Sequence, residues 1–224
     1  MGCKRMIDFA ATRCEMVARQ IAGRGIVGVD VLDAMRAVPR ECFVPEHLHG
    51  SAYDDSPLPI EAGQTISQPY IVALMIDAAG VQAGERVLEI GAGSGYAAAV
   101  MGRIAKQVFA IERHGELAEL ARERMRALGY DNVVIIEGDG TQGCPDEAPF
   151  DAILAAASGS HVPQVLLDQL KVGGRLVMPV GEPHAVQHLV RVRRLGEARF
   201  GEDDLGAVRF VPLIGAHGWQ EVDG

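Results

Sequence analysis

Three glycines at alternate positions, Gly91, Gly93 and Gly95, follow the apolar run Val87-Leu-Glu-Ile90 and precede Tyr96 and a run of alanines. A glycine turn between a strand and a helix lets the backbone approach a ligand closely and aims the first helical N–H groups at it. A dinucleotide fingerprint carries its third glycine one residue later than this frame does. Glu89, just before the turn, would oppose a pyrophosphate but suits a ligand bearing an ammonium group. S-adenosylmethionine carries an α-amino group and a sulfonium, so the acid points the loop Gly91, Ala92, Gly93, Ser94, Gly95 toward that cofactor. A plain tight turn needs one or two glycines and gives no reason for three.

Glu112 stands 23 positions beyond Glu89. An acid about 20 residues after such a loop accepts hydrogen bonds from ribose hydroxyls. Alone it would read as a solvated strand end; with the loop it reads as a ribose ligand, with Arg113 beside it. Gly138-Asp139-Gly140 follows a third apolar run, where Asp139 can accept from an adenine amine; a bare Asp-Gly is otherwise simply a turn. Gln64, Thr65, Ile66 and Ser67 precede Pro69. Ser67 reads first as a helix cap, because no GxSxG elbow is present to make it a hydrolase nucleophile. The seven histidines are scattered along the chain and the four cysteines lack CxxC spacing, so no metal site is expected.

These residues need elements to hold them. Apolar spacing predicts an amphipathic entry helix over Met6–Gly23, a second helix over Val31–Val38 capped by Asp30, and a third over Gln68–Ala79 capped by Ser67. Between the second and third, Pro39, Pro45, Pro57 and Pro59 predict irregular chain close to the site. Short apolar runs then alternate with helical stretches, which signals a parallel sheet covered on both faces. The expected strands are Arg86–Ile90, Gln107–Ile111, Val133–Glu137, Asp151–Ala156 and Arg175–Val180. The expected helices are Gly95–Ile104, Gly115–Leu128 and Val162–Leu170. His188–Arg194 and Ala207–Leu213 alternate by twos across an acidic turn spanning Gly196–Gly206, an antiparallel hairpin at one edge. The resulting division is an N-terminal helical extension with active-site segment over residues 1–80 and a cofactor-binding core over 81–224, one structural unit overall.

With 224 residues, 48% of them apolar, the chain can bury one sizeable core. A net charge of −9 disfavours a nucleic acid held through its phosphates. The cluster Arg191, Arg193, Arg194 alternates with valines, as the solvated side of a strand does. No apolar segment is long enough to span a bilayer, and reduced thiols with no leader pattern suggest a cytoplasmic enzyme. The polar ending Gly218-Trp-Gln-Glu-Val-Asp-Gly224 lacks an evident terminal element, which suggests a fused or neighbouring domain beyond it.

Taken together, Tyr53-Asp-Asp-Ser-Pro-Leu-Pro59, Gly63-Gln-Thr-Ile-Ser-Gln-Pro-Tyr70, Val87 to Tyr96, Gly138-Asp-Gly-Thr141, Val162 to Pro179 and Phe210-Val-Pro-Leu213 resemble the protein-L-isoaspartate O-methyltransferase family over nearly the whole chain. The glycine loop is common to many class I methyltransferases; Thr65-Ile-Ser-x-Pro69 is far more specific. The resemblance implies a Rossmann-like α/β fold with a mostly parallel seven-stranded sheet and S-adenosylmethionine as methyl donor, leaving S-adenosylhomocysteine. The acceptor would be the α-carboxylate of isoaspartyl residues in damaged proteins and peptides. It assigns Ser67 to the active site and Gln64–Ser67, Glu89, Glu112 and Asp139-Gly140 to the cofactor. Glu89 and Glu112 stand where many members carry aspartate, Val72 where some carry histidine, and Ile214 where threonine is frequent. Ile214 leaves room for a related methyltransferase acting on another carboxylate or small molecule, and the polar ending Gly218–Gly224 for a cofactor-binding module without turnover.

Overall fold

The computed structural model describes residues 7–183 and 185–220. Asp8 opens α1 (Phe9–Met16) by accepting from the Ala11 amide at 3.0 Å. The entry helix does not run regularly to Gly23. It passes into a π-helical turn over Val17–Ile21 and a 3₁₀ turn over Ala22–Arg24, and stops at left-handed Gly25; Met6 lies outside the described residues. The second helix, α2 (Val29–Ala37), starts two residues early, with Gly28 at the cap and Asp30 inside its first turn. Asp30 therefore complements the helix dipole instead of capping it.

The proline-rich stretch holds three 3₁₀ turns, the last of them in the loop of a small hairpin, β1 (Leu58–Pro59) paired antiparallel with β2 (Thr65–Ile66). α3 (Pro69–Ala79) then begins with Pro69 in its first turn and ends on left-handed Gly80. Its cap is Gln68, not Ser67, and neither side chain makes a capping bond.

Seven strands form the main sheet: β3 (Arg86–Ile90), β4 (Gln107–Glu112), β5 (Val133–Glu137), β6 (Phe150–Ala155), β7 (Leu170–Val180), β8 (Gln187–Gly196) and β9 (Arg199–Val208), in the order β5-β4-β3-β6-β7-β8-β9. The first five are mutually parallel and the last two antiparallel. The mostly parallel α/β sheet expected from the sequence is thus the one found. Central β3 is apolar because both faces are covered: Val87, Leu88 and Ile90 are at most 1% exposed, each burial stabilising by about 1.5–3 kcal/mol.

α4 (Tyr96–Gly102) and α5 (Gly115–Leu128) pack beside β4 and β5, and α3 packs beside β6 and β7. A single apolar cluster runs from Met16 through Ile76 to Val87, Leu117 and Leu189. It therefore crosses the boundary at residue 80.

The hairpin at the edge is longer and placed differently from the expectation. The acidic segment taken for a turn is most of β9, while Val211–Leu213 makes only an isolated bridge to Ser158. Cross-strand charge explains the difference: Asp203 pairs with Arg191 at 2.9 Å and Arg193 at 3.3 Å, and Asp204 with His188 at 2.8 Å. Opposed charges on neighbouring strands stabilise pairing that residue type alone disfavours. The last predicted helix shrinks to α6 (Gln164–Asp168), following Pro163, because β7 already begins at Leu170.

Candidate active site

Strand order reverses between β3 and β6, with β4 on the far side of β3, and ligands of open α/β sheets bind at the strand carboxyl ends beside such a switch. A cleft of about 1100 Å³ opens there, just above the usual range for small-molecule sites, so it has room for two reactants. One wall is the glycine loop with Glu89, Glu112, Arg113 and Gly140. The rest of the lining comes from Gln64–Gln68, residues of α3 and the segment Ala207–Ile214.

Gly91, Gly93 and Gly95 all take left-handed φ, at 84°, 53° and 88°. That explains three glycines in this frame better than a simple turn does. Gly95 sits at the cap of α4, where a Cβ would lie 3.1 Å from Met125 and 3.3 Å from Ala121 of α5. It therefore shapes the loop from behind and does not line the cleft.

Glu112 is 5% exposed and holds the loop: one carboxylate oxygen accepts from the Gly93 amide at 2.8 Å and the other from His114 at 2.9 Å. Glu89 is 2% exposed, lines the cleft, and its Oε2 has no hydrogen-bond partner among the described residues. Burial first, and then the nearby Glu112 charge, raise the Glu89 carboxyl well above the ordinary range. A buried carboxyl left without a donor is costly. An ammonium-bearing ligand removes that cost, so the residues present fit S-adenosylmethionine.

Ser67 is half-buried in this lining, and its backbone carbonyl is fixed by Arg40 at 2.8 Å. Arg40 has no exposure to solvent; it also donates to the Ala52 carbonyl at 2.8 Å and lies 4.7 Å from the centroid of Tyr96, the first residue of α4. Arg124 of α5 ties the β1–β2 hairpin to the glycine loop, donating to the Ser94 carbonyl at 3.2 Å and pairing with Glu61 at 3.6 Å. The β1–β2 hairpin thus leans on the glycine loop, with Ile60 the nearest neighbour of the space above Gly93.

Among the residues singled out from sequence, Gln64, Thr65, Ile66, Ser67, Glu89, Gly91, Ala92, Gly93, Ser94, Glu112, Arg113 and Gly140 line this one cleft. Gly140 folds back onto β3 so closely that a Cβ would meet Ile90 at 2.5 Å. Asp139 stands apart. Its carboxylate accepts from the Thr141 amide and hydroxyl, from Gln142 and from the Ala216 amide, so its oxygens are turned to the protein and not to the cleft. Val72 and Ile214 both lie in the lining. Sequence reading missed Arg40, Arg124 and Trp219. A lone arginine among the prolines after α2, and a single tryptophan in an otherwise polar ending, were the available signals.

The sequence matches the family described as Protein-L-isoaspartate(D-aspartate) O-methyltransferase (PCMT) over residues 11–218. It is 57% identical to a protein-L-isoaspartate O-methyltransferase of Rhodopseudomonas palustris over 206 residues, 92% of this chain and 94% of the relative. It is 53% identical to protein-L-isoaspartate O-methyltransferase 2 of Pelobacter propionicus, over 98% of this chain and 97% of that one. Among solved structures, a Plasmodium falciparum protein named for the same activity and crystallised with S-adenosyl-L-homocysteine superposes with a TM-score of 0.78. Its identity is 28%, covering 90% of this chain and 98% of that one.

Proposed function

The chain belongs to the protein-L-isoaspartate O-methyltransferase family, and from that premise we propose how its residues divide the work. It is an S-adenosylmethionine-dependent enzyme that methylates isoaspartyl residues of proteins. The acceptor is the α-carboxylate of the isoaspartyl residue. Once bound, the cofactor supplies an electrophilic methyl group on a sulfonium.

That carboxylate is already ionised at neutral pH, so no general base is required of the protein. The chain's task is alignment and exclusion of water as opposite charges neutralise. Glu89 receives the cofactor's ammonium end, and Glu112 receives the ribose while bracing the loop through Gly93. Gln64–Ser67 closes the acceptor side, with Ser67 hydrogen-bonding the acceptor carboxylate and forming no covalent bond to it. Residues 1–80 supply the active-site segment and residues 81–224 the cofactor-binding core of one unit. The observation that carries the reading is that Ser67, its carbonyl held by Arg40, lines the same cleft as the glycine loop.

Free thiols at Cys14, Cys42 and Cys144 support a cytoplasmic setting. No helix among the described residues is long and apolar enough to cross a membrane. The two bacterial relatives are covered over 94% and 97% of their own lengths, so they lend no support to an appended domain. The readings as a methyltransferase for another acceptor, or as a module without turnover, are not favoured by these relationships.

The test is Ser67→Ala, assayed with labelled cofactor on an isoaspartyl peptide and its aspartyl twin. Turnover is expected to fall at least about a hundredfold, with S-adenosylhomocysteine affinity kept. Wild-type turnover in the variant would remove Ser67 from the mechanism.

A further inference from the structure

The hydrogen bonds that turn Asp139 away from the cleft have a partner far along the chain. Its Oδ2 accepts from the Ala216 amide at 2.9 Å, and the Thr141 hydroxyl accepts from the His217 amide at 3.0 Å, contacts 77 and 76 positions apart in sequence. Gly215 takes a φ of +154°, and a side-chain carbon there would collide with the Asp139 carboxylate. These contacts fix a turn in which Gly218 donates to the Gly215 carbonyl at 3.1 Å. The turn delivers Trp219, whose backbone amide donates to the Leu213 carbonyl at 2.8 Å and whose indole Nε1 donates to the Ser158 carbonyl at 2.9 Å. Trp219 is half-buried, lines the cleft and is the chain's only tryptophan.

The turn at 139–141 folds onto Ile90 at the end of β3, and Ser158 follows the end of β6. The clamped segment is therefore anchored on both sides of the strand pair at which the glycine loop sits. The geometry points to Asp139 and Thr141 as positioning residues that hold Trp219 as a wall of the cofactor half of the cleft. Asp139 then serves the cofactor through Trp219. The inference rests on the reading of this cleft as the S-adenosylmethionine site. It adds how a segment at the far end of the sequence completes that site.

The test uses the full chain, calorimetry with S-adenosylhomocysteine, and the emission of Trp219. Trp219→Ala is expected to weaken S-adenosylhomocysteine binding about tenfold or more. Asp139→Asn keeps an oxygen for Thr141 but sets an N–H against the Ala216 N–H. Thr141→Val keeps the carboxylate but removes both the acceptor for His217 and the hydroxyl donor to Asp139. Both are expected to shift the unliganded emission to longer wavelength and to increase quenching by acrylamide. Asp139→Asn is expected to cost little further affinity once Trp219 is alanine.

Unchanged affinity in Trp219→Ala, unchanged emission in both clamp variants, or an equal Asp139→Asn loss with and without Trp219 would each overturn the inference and leave the cleft reading standing. Failure of the wild-type chain to bind S-adenosylhomocysteine would sink the cleft reading itself, and the inference with it.

Discussion

The Arg40 guanidinium, wholly buried, donates to the Ser67 carbonyl at 2.8 Å while facing the Tyr96 ring at 4.7 Å from its centroid. One cation thereby ties the active-site segment to the first turn of the helix that follows the glycine loop. Burial lowers its pKa, and the neighbouring Tyr96 opposes that effect; burial in turn pushes the Tyr96 hydroxyl up to about 12, with Arg40 opposing.

Arg40→Lys keeps a charge but loses the planar fork that reaches Ala52 and Ser67 together. Loss of charge-assisted bonds at a buried site is expected to cost about 3 kcal/mol in urea unfolding. Turnover should fall more than cofactor affinity, because the bond is to the acceptor side. Equal losses in both would indicate general loosening of the fold.

Gly93→Val places a β-branched side chain at a φ of 53°, facing Ile60 at 3.6 Å from the Cβ position. Strain of about 1–3 kcal/mol is expected there, together with crowding of the cofactor. Calorimetry should record at least about a tenfold drop in S-adenosylhomocysteine affinity. Unaltered affinity would reject the loop assignment.

Glu89 couples cofactor binding to protons. Its carboxyl is raised by burial and by Glu112, so below the folded pKa it carries a proton that an arriving ammonium group must displace. Binding is therefore expected to release protons and to weaken as pH falls through that region. Titration in buffers of different ionisation enthalpy measures the release directly. Glu89→Gln should bind more weakly near neutral pH and release fewer protons, and an unchanged proton count would exclude this role.

Stability should fall at the acid end for a separate reason. Asp151 accepts from the Arg86 amide at 2.8 Å and from Lys171 at 2.8 and 2.9 Å. Burial pushes its pKa up, but these bonds outweigh burial and hold it below the ordinary value of 3.8; Asp139 is lowered likewise, with Ala216 and Thr141 among its donors. A depressed folded pKa stabilises fully above the unfolded value and is lost as pH drops through the folded one. Melting temperature should thus decline below about pH 4, and Asp151→Asn should flatten that decline while lowering stability at pH 7. A decline of the same steepness in the variant would assign it to other carboxylates.

The family, the methyl donor and the parallel sheet were legible in the sequence because each depends on local patterns. Three glycines with left-handed φ, an acid at each of two strand ends, and apolar runs buried on both faces are set by neighbouring residues. The charged hairpin was misread for the converse reason: Asp203 and Asp204 favour a turn by residue type, and only their pairing with Arg191, Arg193 and His188 makes them strand. Ser67 resembled a cap because serine is a favoured capping residue; Pro69 at the first helical position makes Gln68 the cap and leaves Ser67 lining the cleft.

Arg40 and Trp219 could be placed only by the folded chain, since their partners, Ser67 and Ser158, lie 27 and 61 positions away. Asp139 marks the boundary between the two kinds of information. Sequence determined that an acid follows the third parallel strand, because the Asp-Gly turn is written in adjacent residues. Tertiary structure decided where its oxygens point, because hydrogen bonds go to whichever donors the fold brings within 3 Å of them, and one of those donors belongs to Ala216.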